Sequence, residues 1–149
     1  MIESRHLFDM SVAVSGPQQA STPSGLLATV IVEDGTVRGE HLAGRVLAGG
    51  GDWLVIDAAG IGHVDVRLTI QVDDGPLVAV RYLGRLVFLG DSMTRLLAGE
   101  SLSESDLYFR TAPQFAVESG PYDWLNGIQA VGIGWLEPGL VNYHVHQLL

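Results

Sequence analysis

The chain has 149 residues, enough for one domain, and on the usual scaling it buries roughly 70% of the surface its unfolded form exposes, so it needs neither disulfide nor metal to hold a core. It has no cysteine and no lysine, all eight basic residues being arginine, which excludes thiolate nucleophiles, thiolate zinc, iron–sulfur clusters, Schiff-base chemistry and the lysine-bearing P-loop. Seventeen carboxylates against eight arginines give a formal charge of −9, the wrong sign for gripping nucleic acid.

No stretch of about 18 apolar residues is free of charge, so a membrane is not an expected partner. The segment Met1 to His6 lacks a basic region followed by an apolar one, and a cytoplasmic location is expected. Nineteen glycines point to many turns.

Period-two alternation over most of the chain predicts strands with one face toward a core. Leu7 to Val14 is the first, and Leu26 to Glu33 follows a connection rich in Gly, Pro, Ser and Gln. Asp34-Gly35 reads as a hairpin turn, after which Val37 to Leu47 returns as a strand interrupted at Gly44. Gly49-Gly50-Gly51 precedes a short strand, Trp53 to Asp57. In Gly62 to Val72, Val64, Val66, Leu68, Ile70 and Val72 share one face, and His63, Asp65, Arg67, Thr69 and Gln71 share the other.

A second Asp-Gly turn at residues 73–76 leads into the strand Leu77 to Leu89. Asp91 to Ala98 reads as a helix, with Asp91 or Ser92 as its cap and Gly99 as its end. Leu107 to Val117, Asn126 to Glu137 and Leu140 to Leu148 close the pattern as strands. With no βαβ rhythm, the expectation is an all-β fold. A single antiparallel barrel of about 8–10 strands over residues 1–149, lipocalin-like or allene-oxide-cyclase-like in shape, is favoured because closure removes sheet edges and leaves a central cavity for a small ligand.

Chemistry-bearing residues gather in a few places. Three glycines present Asp52 and Trp53 at a strand end, where an apolar surrounding would raise the carboxyl pKa toward neutrality and suit it to proton transfer. A structural cap is the alternative. Asp65 and Arg67 share a strand face that looks either out to water or in to a cavity, where the guanidinium would hold an oxygen of the ligand. Tyr108 and Arg110 form a second such pair, and Tyr122-Asp123-Trp124-Leu125-Asn126 reads as an aromatic plug after a turn. His144 and His146 face one way on the last strand, as two metal ligands would, but no third ligand is placed nearby by the sequence, so no metal is expected. No serine-hydrolase elbow or dinucleotide fingerprint is present.

Val46-Leu47 with Gly49 to Trp53, then Val64 to Arg67, Asp73-Asp74-Gly75, Tyr108 to Pro113 with Phe115, and Trp124-Leu125-Asn126 occur in an order that resembles the domain of unknown function 3237 family, also called uncharacterised protein family 0311. The resemblance spans nearly the whole chain. It implies a single-domain β-barrel with a central cavity, and, from members in natural-product pathways, cofactor-free cyclisation of polyketide-like substrates. Asp52, Trp53, Arg67, Tyr108, Arg110, Trp124 and Asn126 match the family's motif residues, which favours an inward orientation for Arg67 and Arg110. The chain departs from the pattern at Ala48, over Arg85 to Leu89, and at His144 and His146.

The function expected from these residues is that of a cofactor-independent cyclase, dehydratase or isomerase for an apolar, oxygenated small molecule. Asp52, Arg67, Tyr108 and Arg110 are its catalytic candidates, and Trp53, Asp65, Tyr82, Trp124 and Asn126 line the substrate. A barrel that binds a hydrophobic small molecule without transforming it is the competing expectation, and a homo-oligomer such as a dimer is compatible with both.

Overall fold

A computed structural model describes residues 1–149. Ten strands follow in order: β1 (Ser4–Thr22), β2 (Gly25–Arg38), β3 (Ala43–Val46), β4 (Gly51–Ile56), β5 (Gly62–Val72), β6 (Leu77–Phe88), β7 (Leu107–Thr111), β8 (Gln114–Ala116), β9 (Ala130–Glu137) and β10 (Leu140–Leu148). One α-helix, α1 (Ser92–Leu97), and two short 3₁₀ segments complete the chain. No helix is long and apolar enough to cross a membrane.

All pairings are antiparallel, and they close on themselves. β3 and β4 lie end to end between β2 and β5, and β7 and β8 lie end to end along β6. The β5–β6 pairing completes a barrel-like ring in which β1 sits between β2 and β10. Closure covers the edges that so many long strands would otherwise expose.

Alternation sets the two faces. Val64, Val66, Leu68, Ile70 and Val72 of β5, Val78, Val80 and Tyr82 of β6, and Leu107 and Phe109 of β7 are buried inward, within one core cluster of 27 buried apolar residues. At about 25 cal/mol per Å² of apolar surface, this shared core is the main force holding the ring shut.

Several expectations from the sequence change. Val37 to Leu47 is not one strand interrupted at Gly44, since β2 ends at Arg38 and Gly44 lies within β3; Leu107 to Val117 divides into β7 and β8; and Asn126 falls in a 3₁₀ segment, with β9 beginning only at Ala130. The stretch after Val14 is not a loop: β1 runs on to Thr22 and pairs with β2 from Gln18↔Thr29 to Thr22↔Gly25. Nor is Asp34-Gly35 a turn, because β2 passes straight through it, with Gly35 opposite both Val12 and Val46. A Cβ at Gly35 would lie 2.5 Å from the Ser11 carbonyl oxygen, so the glycine serves a close strand approach next to a register shift between Ala13 and Val14. The turn at residues 73–76 forms as expected, with Asp74 at φ 50. Helix α1 also forms and is ended by Gly99 at φ 89, but the Asp91 side chain makes no capping hydrogen bond.

Candidate functional site

Asp52 enters the interior because β4 alternates: Asp52 and Leu54 face inward while Trp53 faces out. Its register partners are Val30 on one side and Val66 on the other, and Val66 in turn faces Tyr82. Asp52 and Tyr82 thus sit in one row across three strands, about 10 Å apart at the backbone. Between the pairs Asp52↔Val66 and Val55↔His63, the Asp65 backbone N–H donates to the Asp52 carboxylate at 3.0 Å.

Tyr82 and Tyr143 are both buried, and the Tyr82 hydroxyl donates to the Tyr143 hydroxyl at 3.0 Å. Their rings meet edge to face at 5.4 Å, and Phe109 packs on Tyr143 at 5.5 Å. Burial pushes both phenols above their ordinary pKa, and the charge of Asp52 adds to the shift. The Asp52 carboxyl itself is raised to about 6, mainly by burial, against the lowering effect of the Asp65 N–H and with a further push from the Asp65 charge. Thr111 Oγ1 and Asp65 Oδ1 are buried without hydrogen-bond partners.

The interior therefore collects Asp52, Tyr82 and Tyr143. It does not collect the arginines. Arg67 lies on the polar face of β5 and is exposed; Arg110 points outward from β7, its guanidinium 5.0 Å over the ring of Tyr108. Tyr108 is 50% exposed and Trp53 48%, so neither faces the core. An interior cavity lined by Trp53 and at least one of Arg67 and Arg110 is not formed, because burying the valine face of β5 and the Leu107–Phe109 face of β7 turns every alternate residue outward.

Asn126 likewise belongs to the frame: its amide donates to the Val117 carbonyl and accepts from the Val117 N–H, tying a 3₁₀ segment to the chain after β8. Trp124 packs against the core and, with Tyr122, Arg5 and His41, borders a recess of about 420 Å³.

Outside the ring, Arg67 faces Arg81 directly across β5 and β6, and Arg81 faces Gln114 of β8. Together with Gly49, Gly50 and Thr69 they border an open groove of about 560 Å³. Gly49 takes φ 110, and a Cβ at Gly50 would lie 2.5 Å from the Arg67 carbonyl oxygen, so the glycines let this loop hug β5. Neither arginine has a carboxylate partner.

The histidines of the last strand also gain neighbours that their spacing does not announce. The β1–β10 register sets His6 opposite His146 and Asp9 opposite His144. Both His6 Nε2 and His144 Nδ1 reach the same Asp9 oxygen, at 2.8 and 2.7 Å. Burial works against ionisation of Asp9, but the hydrogen bonds from His144 and His6 hold its pKa below the ordinary value. The expectation that no further ligand stands near His144 is thus corrected, the missing groups coming from the opposite end of the sequence.

The family model described as "Protein of unknown function (DUF3237)" matches residues 2–148. The chain belongs to the DUF3237 family. A UPF0311 protein of Rhodopseudomonas palustris is 26% identical over 149 residues, covering 99% of this chain and 97% of that one. The crystal structure of that family member superposes with a TM-score of 0.93, covering 100% of this chain and 99% of the other. A beta-barrel like protein from Acinetobacter baumannii is 27% identical, with a TM-score of 0.84 and coverage of 100% and 97%. An enzyme from Penicillium herquei, 19% identical with a TM-score of 0.67 and coverage of 99% and 95%, shares the fold.

Proposed function

We propose that this DUF3237 protein is a cofactor-independent acid–base enzyme, a cyclase, dehydratase or isomerase, acting on an apolar oxygenated small molecule with Asp52 as its proton-transfer group. The observation that carries the reading is the placement of Asp52 inside the ring, in register with Tyr82, with a carboxyl raised to about 6 by burial. Such a group is half-ionised near pH 6 and can both take up and return a proton. Asp52 keeps partial solvent contact, so it is not sealed in the core.

In a dehydration, the carboxylate removes the proton from the carbon next to a carbonyl. The carboxylic acid then returns that proton to the departing hydroxyl, and water leaves with no oxidant or metal. Of the phenols, the Tyr82–Tyr143 pair, and not the catalytic candidate Tyr108, stands on the inward side with Asp52. Arg67 and Arg110, on the outer face, leave this scheme. A polyketide-like substrate is the class that the family resemblance supports.

One observation favours a second reading, binding without turnover. The groove holding Arg67, Arg81 and Gln114 is bordered by no carboxylate or imidazole, and its two unpaired guanidinium groups suit an anionic small molecule. A panel of phenolic and β-keto compounds, screened for both binding and conversion, separates the two. With a substrate in hand, Asp52→Asn should keep its fold and ligand affinity and lose about two to four orders of magnitude in turnover. Normal turnover by the variant would remove Asp52 from the chemistry. Ligand capture that depends on Arg67 and Arg81, with no conversion by the wild type, would favour the binding reading.

A further inference from the structure

We propose that His6, Asp9 and His144 form a binding site for a first-row divalent transition ion such as Zn²⁺, on the outer face of the ring where the first and last strands pair. It is separate from the Asp52 reading, since these three side chains point outward and Asp52 points in.

A strand defect creates the site. In a regular strand, residues three apart point to opposite faces. The register shifts between His6 and Phe8, so Leu7 is an extra residue: His6 faces His146, and Phe8 already faces Val145. Leu7 and Phe8 are both buried as a result, and His6 and Asp9 emerge on the same side, beside His144. A bulge that re-aims one side chain is a common device next to functional sites.

The geometry is close to that of a metal cage. One ligand atom from each residue lies within 4.8 Å of the others, and the two nitrogens stand 2.8 and 2.7 Å from Asp9 Oδ1. An ion with bonds of about 2.0–2.1 Å in tetrahedral arrangement holds its donors about 3.3 Å apart. The two nitrogen–oxygen distances therefore need to lengthen by about half an ångström, the ion replacing the protons shared between imidazole and carboxylate. Two imidazole nitrogens and one carboxylate oxygen suit Zn²⁺, Co²⁺ or Ni²⁺, while Mg²⁺ and Ca²⁺ prefer all-oxygen shells.

The surroundings favour capture. The three side chains are 47%, 54% and 42% exposed, so an ion enters directly from water, and the chain's formal charge of −9 draws cations. The ring of Trp135 lies 4.7 Å from that of His144 and limits its rotation, and the His146 ring stands 5.5 Å from His6. Three protein donors leave a coordination position for water or a ligand atom. An ion held here also links β1 to β10.

The test is calorimetric titration of untagged protein, stripped with chelator and desalted, with ZnCl₂ and in parallel with MgCl₂. One Zn²⁺ per chain at micromolar affinity or better, with no Mg²⁺ binding, is the expected result. Asp9→Asn and His144→Ala should each weaken binding at least tenfold. His63→Ala, which breaks the other short imidazole–carboxylate contact of the surface, His63 to Asp57 at 2.9 Å, should leave it unchanged. Circular dichroism checks each variant's fold. Should a variant not fold, the visible bands of Co²⁺ bound to wild type decide, tetrahedral nitrogen–oxygen coordination being expected. Wild-type affinity no better than that of Asp9→Asn, equal loss in His63→Ala, or a Co²⁺ spectrum identical to that of the free aqueous ion would overturn the proposal.

Discussion

Tyr82 and Tyr143 meet hydroxyl to hydroxyl at 3.0 Å although their strands are not neighbours, β7 and β9 standing between β6 and β10. The bond therefore crosses the inside of the ring, in surroundings where a lone hydroxyl has no water to turn to. Removing one hydroxyl leaves the other buried and unpaired, whereas removing both leaves two apolar rings in edge-to-face contact.

Tyr143→Phe is accordingly expected to cost about 1–3 kcal/mol, and the double variant Tyr82→Phe/Tyr143→Phe clearly less than the sum of the two single ones. Urea denaturation of all four proteins measures the coupling. Strict additivity would show that the two hydroxyls do not depend on each other.

Asp52 gives stability a pH dependence of unusual sign for an aspartate. Its folded pKa of about 6 lies above the ordinary 3.8, so between these values the folded chain keeps a proton that the unfolded chain has lost. Stability is highest at the acid end of that window and falls as pH rises through it. Asp52→Asn keeps an oxygen able to accept the Asp65 N–H and never ionises. It should be more stable than wild type at pH 8 by about 1–3 kcal/mol, the upper end being the full shift and partial solvent contact reducing it, with the advantage gone at pH 4. Thermal melts across that range check the sign. Asp106 runs the other way: hydrogen bonds from the Ser103 backbone and from Arg95 lower its pKa, so its contribution is present above 3.8 and is lost as pH falls through the folded value.

The facing pair Arg67 and Arg81 places like charges directly opposite on adjacent strands with no carboxylate between them. Such pairs are destabilising by a few tenths to about 1 kcal/mol, and salt screens them. Arg81→Gln should raise the melting temperature at low ionic strength, with the gain shrinking at high salt. A loss of stability would mean that the guanidinium contributes more by packing than it costs by repulsion.

The sequence carries the fold far better than it carries the site, for reasons visible in single residues. The alternation of Val64, Val66, Leu68, Ile70 and Val72 shows which face of β5 is dry, and it puts Arg67 on the wet one; the match of Arg67 to a family motif argued against that pattern, and burial decided the matter. Tyr82 falls into the row Val78, Val80, Tyr82 and so was legible as inward-facing. Tyr143 was not, since the two histidines that flank it draw attention to the opposite face. Asp34-Gly35 carries turn chemistry that a bulge uses equally well. His6 and Asp9 illustrate the limit most clearly: a one-residue bulge at Leu7 reverses the side on which one of them emerges, and a bulge leaves no period of its own in the sequence.

The carboxyl carbons of the aspartates, followed by ¹³C NMR through a pH titration with Asp52→Asn to assign the signal, report the proton affinity of Asp52 without any substrate. A midpoint near 6, well apart from those of the solvent-exposed aspartates, is the result expected of a buried proton-transfer group. A midpoint at or below 4 would show a carboxylate that is fully ionised at neutral pH and would contradict its role as the acid–base centre.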